Sequence, residues 1–183
     1  MNKGIQVRQS FTINAPPEEL FGFWRRVSNF PRFMKHVISV EEIDGNRSHW
    51  VVKAPAGRTV EWDAEIVEEV PGRVIAWRTV GDADIRHGGR VEFTPATGGR
   101  GTAVAVRMSY ESPAGPAGAL LAKLFGEEPE LQIRDDLRRF KCLVETGEIP
   151  TTEGQPSGRE KDAAKRSEEG EGTRVMEETE VTS

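Results

Sequence analysis

The chain of 183 residues is short of several residue types and patterns, and each shortage excludes a class of protein. It has a single cysteine, Cys142, so it can form no internal disulfide and no zinc site built on several cysteines. No stretch approaches the roughly 18 uninterrupted apolar residues that a membrane-spanning helix needs. The N-terminal residues lack the apolar core of a secretion signal, so we expect a cytoplasmic, reducing location.

Basic side chains and clustered metal ligands are also scarce. The chain has 25 Lys and Arg against 30 Asp and Glu, a formal charge of −5, and an acidic chain repels nucleic-acid phosphates. The three histidines, His36, His49 and His87, do not stand at metal-ligand spacing with one another or with the cysteine. We therefore expect no nucleic-acid partner, no metal and no cofactor.

The composition changes near residue 150. Residues 150–183 contain nine acidic and five basic residues and no aromatic residue, so they cannot bury enough surface to offset the entropy of ordering. We predict a disordered acidic tail there, which either only solvates the protein or meets a partner. Residues 1–149 keep a formal charge of −1 and every aromatic residue, and they are long enough for one domain with a hydrophobic core.

Alternating apolar and polar residues predict seven β-strands in the first domain. The clearest alternation is at residues 60–66, where Trp62 belongs to the apolar face and three acidic residues form the opposite one. After the first strand, Asn14 and the following Pro-Pro-Glu-Glu predict the capped start of the first of two short helices. Turn sequences such as Asp-Gly-Asn at residues 44–46 join most strands, which predicts an antiparallel sheet.

The end of the first domain is helical in character. Residues 117–125 are rich in alanine and leucine and predict one helix, and residues 130–145 predict a longer one that ends at Gly147. The long helix carries a single apolar stripe, formed by Ile133, Leu137, Phe140 and Val144. Charged residues, from Arg134 to Arg139, are expected to face solvent on the rest of its surface. Such a helix can cover one face of an antiparallel sheet.

This order of elements comes with segments that are typical of a known superfamily. They are residues 11–19, 48–50, 60–64, 75–78, 89–93, 98–102 and 136–141. With them the chain resembles the START/Bet v 1-like (SRPBCC) superfamily, in particular its polyketide cyclase/dehydrase and coenzyme Q-binding branch. The resemblance implies an α+β helix-grip fold: a seven-stranded curved antiparallel sheet wrapped around the long C-terminal helix, with two short helices after strand 1. Because this scaffold hosts carriers, enzymes and regulators, the fold alone leaves the function open.

Our leading hypothesis is a binding protein for a hydrophobic small molecule, held in a cavity between the sheet and the C-terminal helix. A lipid, an isoprenoid quinone or a polyketide-like aromatic is the expected class of ligand. We expect apolar and aromatic side chains from both layers to form the site. The candidate ligand-binding residues are Trp62, Trp77, His87, Val91, Phe93, Met108, Tyr110, Phe125, Ile133, Leu137 and Phe140.

Two other functions stay open. In the first, the protein is an aromatase/cyclase in which His87, Arg78 and Tyr110 supply acid–base chemistry; Arg78 reaches the cavity only if Trp77 points outward. In the second, it is a protein-interaction regulator that resembles the ribosome-associated toxin branch of the superfamily. The tryptophans either line a cavity or fill the core, and His87 is either a core histidine or a ligand contact. Transient contact with a membrane surface and the oligomeric state are left open.

Overall fold

The computed structural model describes residues 4–111 and 129–147. The predicted acidic tail, the predicted helix at residues 117–125 and the candidate residue Phe125 lie outside these residues. In chain order the elements are β1 Ile5–Ile13, α1 Pro17–Arg25, a 3-10 helix Val27–Arg32, β2 Val37–Glu42, β3 Arg47–Lys53, a 3-10 turn Pro55–Gly57, β4 Thr59–Val70, β5 Val74–Val80, β6 His87–Pro95, a 3-10 turn Thr97–Gly99, β7 Thr102–Tyr110 and α2 Pro129–Thr146.

The strands form one antiparallel sheet in the order β1-β7-β6-β5-β4-β3-β2. Neighbouring strands are joined by short connections from β2 to β7, and α1 with the 3-10 helix carries the chain from β1 at one edge to β2 at the other. The seven predicted strands and their antiparallel pairing are thereby confirmed. A register shift in β4 between Ile66 and Glu68 lets this strand run on to Val70, beyond the predicted alternation.

The sheet is curled into a half-barrel, and α2 packs against it, which is the helix-grip arrangement. Lys141 Nζ donates to the carbonyl of Thr12 on β1, 2.9 Å away, and so ties the helix to that edge of the sheet. The α2 residues at the core are Ile133, Leu137, Phe140 and Leu143, all at most 6% exposed. Gly147 has φ = 73°, and its N–H donates to the carbonyl of Leu143 at 2.9 Å, so the helix ends at the predicted glycine.

Aromatic rings join the short helices to α2. The ring centroid of Phe140 lies 5.3 Å from that of Phe23, 5.5 Å from that of Trp24 and 5.1 Å from that of Phe33. These contacts pack α1 and Phe33, the residue directly after the 3-10 helix, against α2, so these elements form one wall over the sheet. Among the described residues, no helix combines the length and the apolar surface needed to cross a membrane.

Two local predictions are wrong. Asn14 does not cap α1: Pro16 is the N-cap residue without a side-chain hydrogen bond, and the backbone N–H of Asn14 donates instead to Glu145 Oε1 at 2.9 Å. Asp136 does not face solvent with the other charged residues of α2, because it is only 3% exposed. The loop that follows the 3-10 helix covers its carboxylate, as the contacts below describe.

Candidate ligand-binding site

A cavity of about 130 Å³ lies between the inner face of the sheet and α2. Strands β2 to β7 supply one side of it, and α1, the 3-10 helix and α2 supply the other. Its surface is formed almost entirely by aromatic and aliphatic side chains, because the inward positions of the strands alternate with polar outward positions. All four tryptophans of the chain are among the lining residues.

Two tryptophans are held in place by their neighbours on the sheet. Trp62 stacks on Trp50 of the adjacent strand, with 6.2 Å between ring centroids and 15° between ring planes. Trp77 pairs with Gly89 across β5 and β6, and a Cβ atom on Gly89 would lie 2.3 Å from Trp77 Cζ2. The missing side chain at Gly89 is therefore what lets the indole of Trp77 lie flat on the sheet and leave the cavity open.

Polar side chains lie in the cavity wall at a group that we call the His87 cluster, which consists of Trp62, His87 and Tyr110. The His87 ring centroid lies 4.9 Å from that of Trp62, edge to face, and 5.5 Å from that of Tyr110. Both ring nitrogens of His87 and Trp62 Nε1 are buried, and within the described residues none of these three nitrogens has a hydrogen-bond partner. Burial lowers the pKa of His87 to about 4, so its ring is neutral at pH 7. Burial also raises the pKa of Tyr110, with a smaller contribution from the charge of Asp136.

A second polar group lines the cavity from the helix side, and we call it the helix clasp. It consists of Asp136 and Arg139 of α2 with the backbone of Phe33 and Lys35. Asp136 Oδ1 accepts from the backbone N–H of Lys35 at 3.3 Å and from Arg139 Nη2 at 2.7 Å, and Arg139 Nε donates to the carbonyl of Phe33 at 3.1 Å. Burial, which outweighs these contacts, raises the pKa of Asp136 to about 6.

The outer face of the sheet holds ion pairs instead. His49 lies between Asp63, with Nδ1 2.7 Å from Oδ1, and Glu61, with Nε2 3.3 Å from Oε2. The hydrogen bond to Asp63 raises the pKa of His49. Arg78 Nη2 lies 3.3 Å from Glu65 Oε2, and its side chain is 66% exposed. The carboxylates of β4 are thus on the outer face, as the alternation predicts, and they do not form a pair for acid–base chemistry in the cavity.

The structure brings most of the candidate residues together around the cavity. Those that line it are Trp62, Trp77, His87, Met108, Tyr110, Ile133 and Leu137. Val91, Phe93 and Phe140 are buried in the core beside it, because their positions lie farther along the strand or helix than the cavity extends. Arg78 is not at the cavity, because Trp77 points inward and the alternation of β5 turns the next side chain outward.

Other lining residues were not among the candidates. They are chiefly Trp24, Phe30, Phe33, Met34, Trp50 and Asp136. Five of these are aromatic or flexible apolar side chains, which lie in the segment before β2 or on β3. The high frequency of such side chains among the predicted short helices is the sequence signal that could have indicated a wall of the site. Within residues 4–111 and 129–147, no group of three or more His, Cys, Asp or Glu side chains is arranged to hold a metal ion.

A curled sheet closed over a cavity by a C-terminal helix defines a class of protein, and comparison with known sequences gives its family. A model of the family described as polyketide cyclase / dehydrase and lipid transport matches residues 13–138. The chain therefore belongs to this family. A 17.2 kDa protein of Streptomyces lincolnensis is 30% identical over 142 residues, which cover 76% of this chain and 89% of that protein.

Solved structures share the fold. A protein of Deinococcus radiodurans is 42% identical, covers 79% of this chain and 100% of its own chain, and superposes with a TM-score of 0.63. A protein of Thermus thermophilus is 26% identical, covers 78% of this chain and 99% of its own, and has a TM-score of 0.62. The Zhui aromatase/cyclase of a Streptomyces species is 16% identical, covers 80% of this chain and 99% of its own, and has a TM-score of 0.58. At that identity the last likeness concerns the fold alone.

Proposed function

We propose that the protein binds a hydrophobic small molecule in the cavity between the sheet and α2. The observation that carries the proposal is the cavity itself: about 130 Å³ of space bounded by tryptophan, phenylalanine and aliphatic side chains. Well-packed protein interiors contain few spaces larger than a water molecule, and keeping one costs stability. Burial of an apolar ligand there would recover the lost contacts without any cofactor.

The size of the cavity favours a ligand smaller than most members of the expected classes. Drug-sized ligands occupy pockets of about 300–1,000 Å³, whereas an apolar cavity of about 150 Å³ holds a single benzene ring. At about 130 Å³, this cavity fits one aromatic ring with small substituents. A long-chain lipid, a prenylated quinone or a multi-ring polyketide would require the walls to move apart. We therefore favour a compact aromatic ligand.

A cyclase activity is the second candidate. The family is described as polyketide cyclase / dehydrase and lipid transport, and the ring of His87 lies beside that of Tyr110 in the cavity wall. A general base works best when its pKa is near the working pH, and a pKa of about 4 makes the neutral His87 ring a weak base at pH 7. If cyclisation of a poly-ketone substrate is found, His87→Ala should abolish turnover while the melting temperature changes by only a few degrees. Turnover that survives in this variant would remove His87 from the mechanism.

The binding proposal can be tested on ligand that accompanies the protein through purification. The full-length protein is expressed in bacteria, extracted with organic solvent, and the extract is analysed by mass spectrometry. We expect a compact aromatic compound at close to one equivalent. A cytoplasmic location and the absence of a nucleic-acid partner stay predictions of the sequence.

A pair of variants makes this experiment specific to the cavity. Ala64 is 5% exposed and lines the cavity, so Ala64→Leu fills part of it. Ala105 is half-buried on the outer face of β7, between the inward-facing Val104 and Val106, so Ala105→Leu is the matched control. We expect the first variant to lose the extracted compound and the second to retain it. An equal yield from both variants would contradict binding in the cavity.

A further inference from the structure

The His87 cluster holds a defined set of hydrogen-bonding atoms in the wall of the cavity. A neutral imidazole has one N–H donor and one bare nitrogen that accepts, whichever tautomer is present, and an indole has one N–H donor. His87 and Trp62 together therefore offer two donors and one acceptor, all buried and without partners within the described residues. Their ring centroids are 4.9 Å apart, and when the rings turn these nitrogens towards the cavity, one small polar group of a ligand meets both.

A hydroxyl group matches this set better than other oxygen groups. It donates one hydrogen bond and accepts up to two, so it can donate to the bare nitrogen of His87 while it accepts from Trp62 Nε1. A quinone or ketone oxygen only accepts, and it would leave the bare nitrogen of His87 without a partner. Since an unsatisfied buried polar atom is costly, the hydroxyl is preferred.

The charges around the cavity argue against an anionic group. Among the described lining residues, the permanent cation is Arg25, and its Nε is 3.0 Å from Glu69 Oε2. Burial and three neighbouring cations lower the pKa of His36, while Asp136 places a negative charge in the same wall at pH 7. A carboxylate or phosphate would enter this site without a counter-charge, which is strongly unfavourable.

We infer, resting on the function proposed above, that the ligand is a neutral phenol or a cyclic enol of about one ring, whose hydroxyl hydrogen-bonds to His87 and Trp62. Its ring occupies the apolar part of the cavity against Trp77 and the α2 side chains. The cluster is already removed from water in the free protein, so a hydroxyl gains these hydrogen bonds without further desolvation of the protein. These hydrogen bonds would distinguish a phenol or cyclic enol from other aromatic ligands of similar size.

Three probes of nearly equal size distinguish a hydroxyl-bearing, a purely apolar and an anionic ligand: p-cresol, toluene and p-toluate. Their dissociation constants are measured by NMR titration of the full-length protein at pH 7.5. We expect p-cresol to bind at least about tenfold more tightly than toluene, and p-toluate to bind most weakly. Equal binding of p-cresol and toluene, or tightest binding of p-toluate, would overturn the inference while leaving a hydrophobic site. If none of the three binds, the proposed function itself fails.

Two variants locate the preference in the cluster. His87→Leu removes one donor and the acceptor with little change in side-chain volume, and Trp62→Phe removes the indole donor. Each should lower the preference for p-cresol over toluene by about tenfold. Both variants are used so that a folding defect in one does not prevent the test. A preference that survives in both would overturn the assignment to His87 and Trp62.

Discussion

Two buried polar groups line the same cavity and differ in their hydrogen-bond partners. Asp136 of the helix clasp receives hydrogen bonds from Lys35 and Arg139, whereas the ring nitrogens of His87 receive and donate none within the described residues. The clasp fastens α2 to the loop before β2, so its role is fulfilled inside the protein. His87 costs stability in the free protein, and a partner from outside would offset that cost. The difference separates a structural polar group from one that is available to a ligand.

Removal of the clasp should have the largest effect on stability. Asp136→Ala leaves the N–H of Lys35 and part of the Arg139 guanidinium without a partner in a partly buried place, so we expect a loss of about 2–3 kcal/mol in the free energy of unfolding. Urea denaturation at pH 7 measures it. The control is Asp135→Ala, since Asp135 is 54% exposed and 3.9 Å from Arg138. This control should change stability by less than about 0.5 kcal/mol; similar losses in both variants would contradict a structural clasp.

Removal of the unpartnered imidazole should instead stabilise the free protein. His87→Leu deletes two unsatisfied nitrogens, and we expect a gain of about 1–2 kcal/mol at pH 7.5. The pKa of His87 is about 4 in the folded protein, against an ordinary value of 6.5 for an exposed histidine, so the unfolded chain binds more protons between these values. The wild type therefore loses stability as the pH falls from 6.5 towards 4, and the gain from His87→Leu should be about 2 kcal/mol larger at pH 5.

Urea denaturation at both pH values checks this prediction, with His49→Gln as the control. The pKa of His49 is raised by Asp63, so this histidine contributes stability below pH 6.5 that is lost as the pH rises through its folded pKa. His49→Gln should therefore destabilise the protein more at pH 5 than at pH 7.5, the opposite sign to His87→Leu. A His87→Leu variant that is less stable than wild type at both pH values would contradict the account of an unsatisfied group.

A modest effect on stability and a separate effect on binding are expected at Gly89. The added Cβ of Gly89→Ala meets the ring of Trp77 and pushes it into the cavity, at a cost of about 1–2 kcal/mol. The affinity for toluene, measured by NMR titration, should fall at least about tenfold. Gly88→Ala is the control, because its Cβ would be 3.1 Å from the Trp77 carbonyl and on the other face. Equal affinity in the two variants would show that the position of Trp77 does not matter for binding.

The sequence predicted the sheet side of the site better than the helix side. Period-two alternation is enough to turn Trp62 and His87 inward, since every second residue of a strand shares a face. Asp136 was assigned to solvent because of its charge, although it stands three residues after Ile133 and four before Phe140, on the face that both of them bury. Spacing was the better guide there than residue type, because a carboxylate is tolerated on a buried face when a loop supplies partners.

The contacts between distant segments could not be predicted in this way. Lys35 and Asp136 are 101 residues apart, and their hydrogen bond depends on how the 3-10 helix turns back over α2. The stacking of Trp50 on Trp62 could not be predicted either. Alternation predicts which face of the sheet these two side chains share, but it does not predict the strand register that places them opposite each other. The missing donors and acceptors around His87 likewise become visible only when all neighbours are in place.

Uptake of an apolar molecule by the cavity can be observed by NMR of the methyl groups that line it. Toluene is titrated into the full-length protein with labelled Met, Ile, Leu and Val methyl groups. We expect saturable shift changes at Met108, Ile133 and Leu137, which line the cavity, and much smaller changes at Val91 and Leu143, which are buried in the core outside it. Shift changes that are absent, or equally large at both sets of methyl groups, would contradict a ligand site in this cavity.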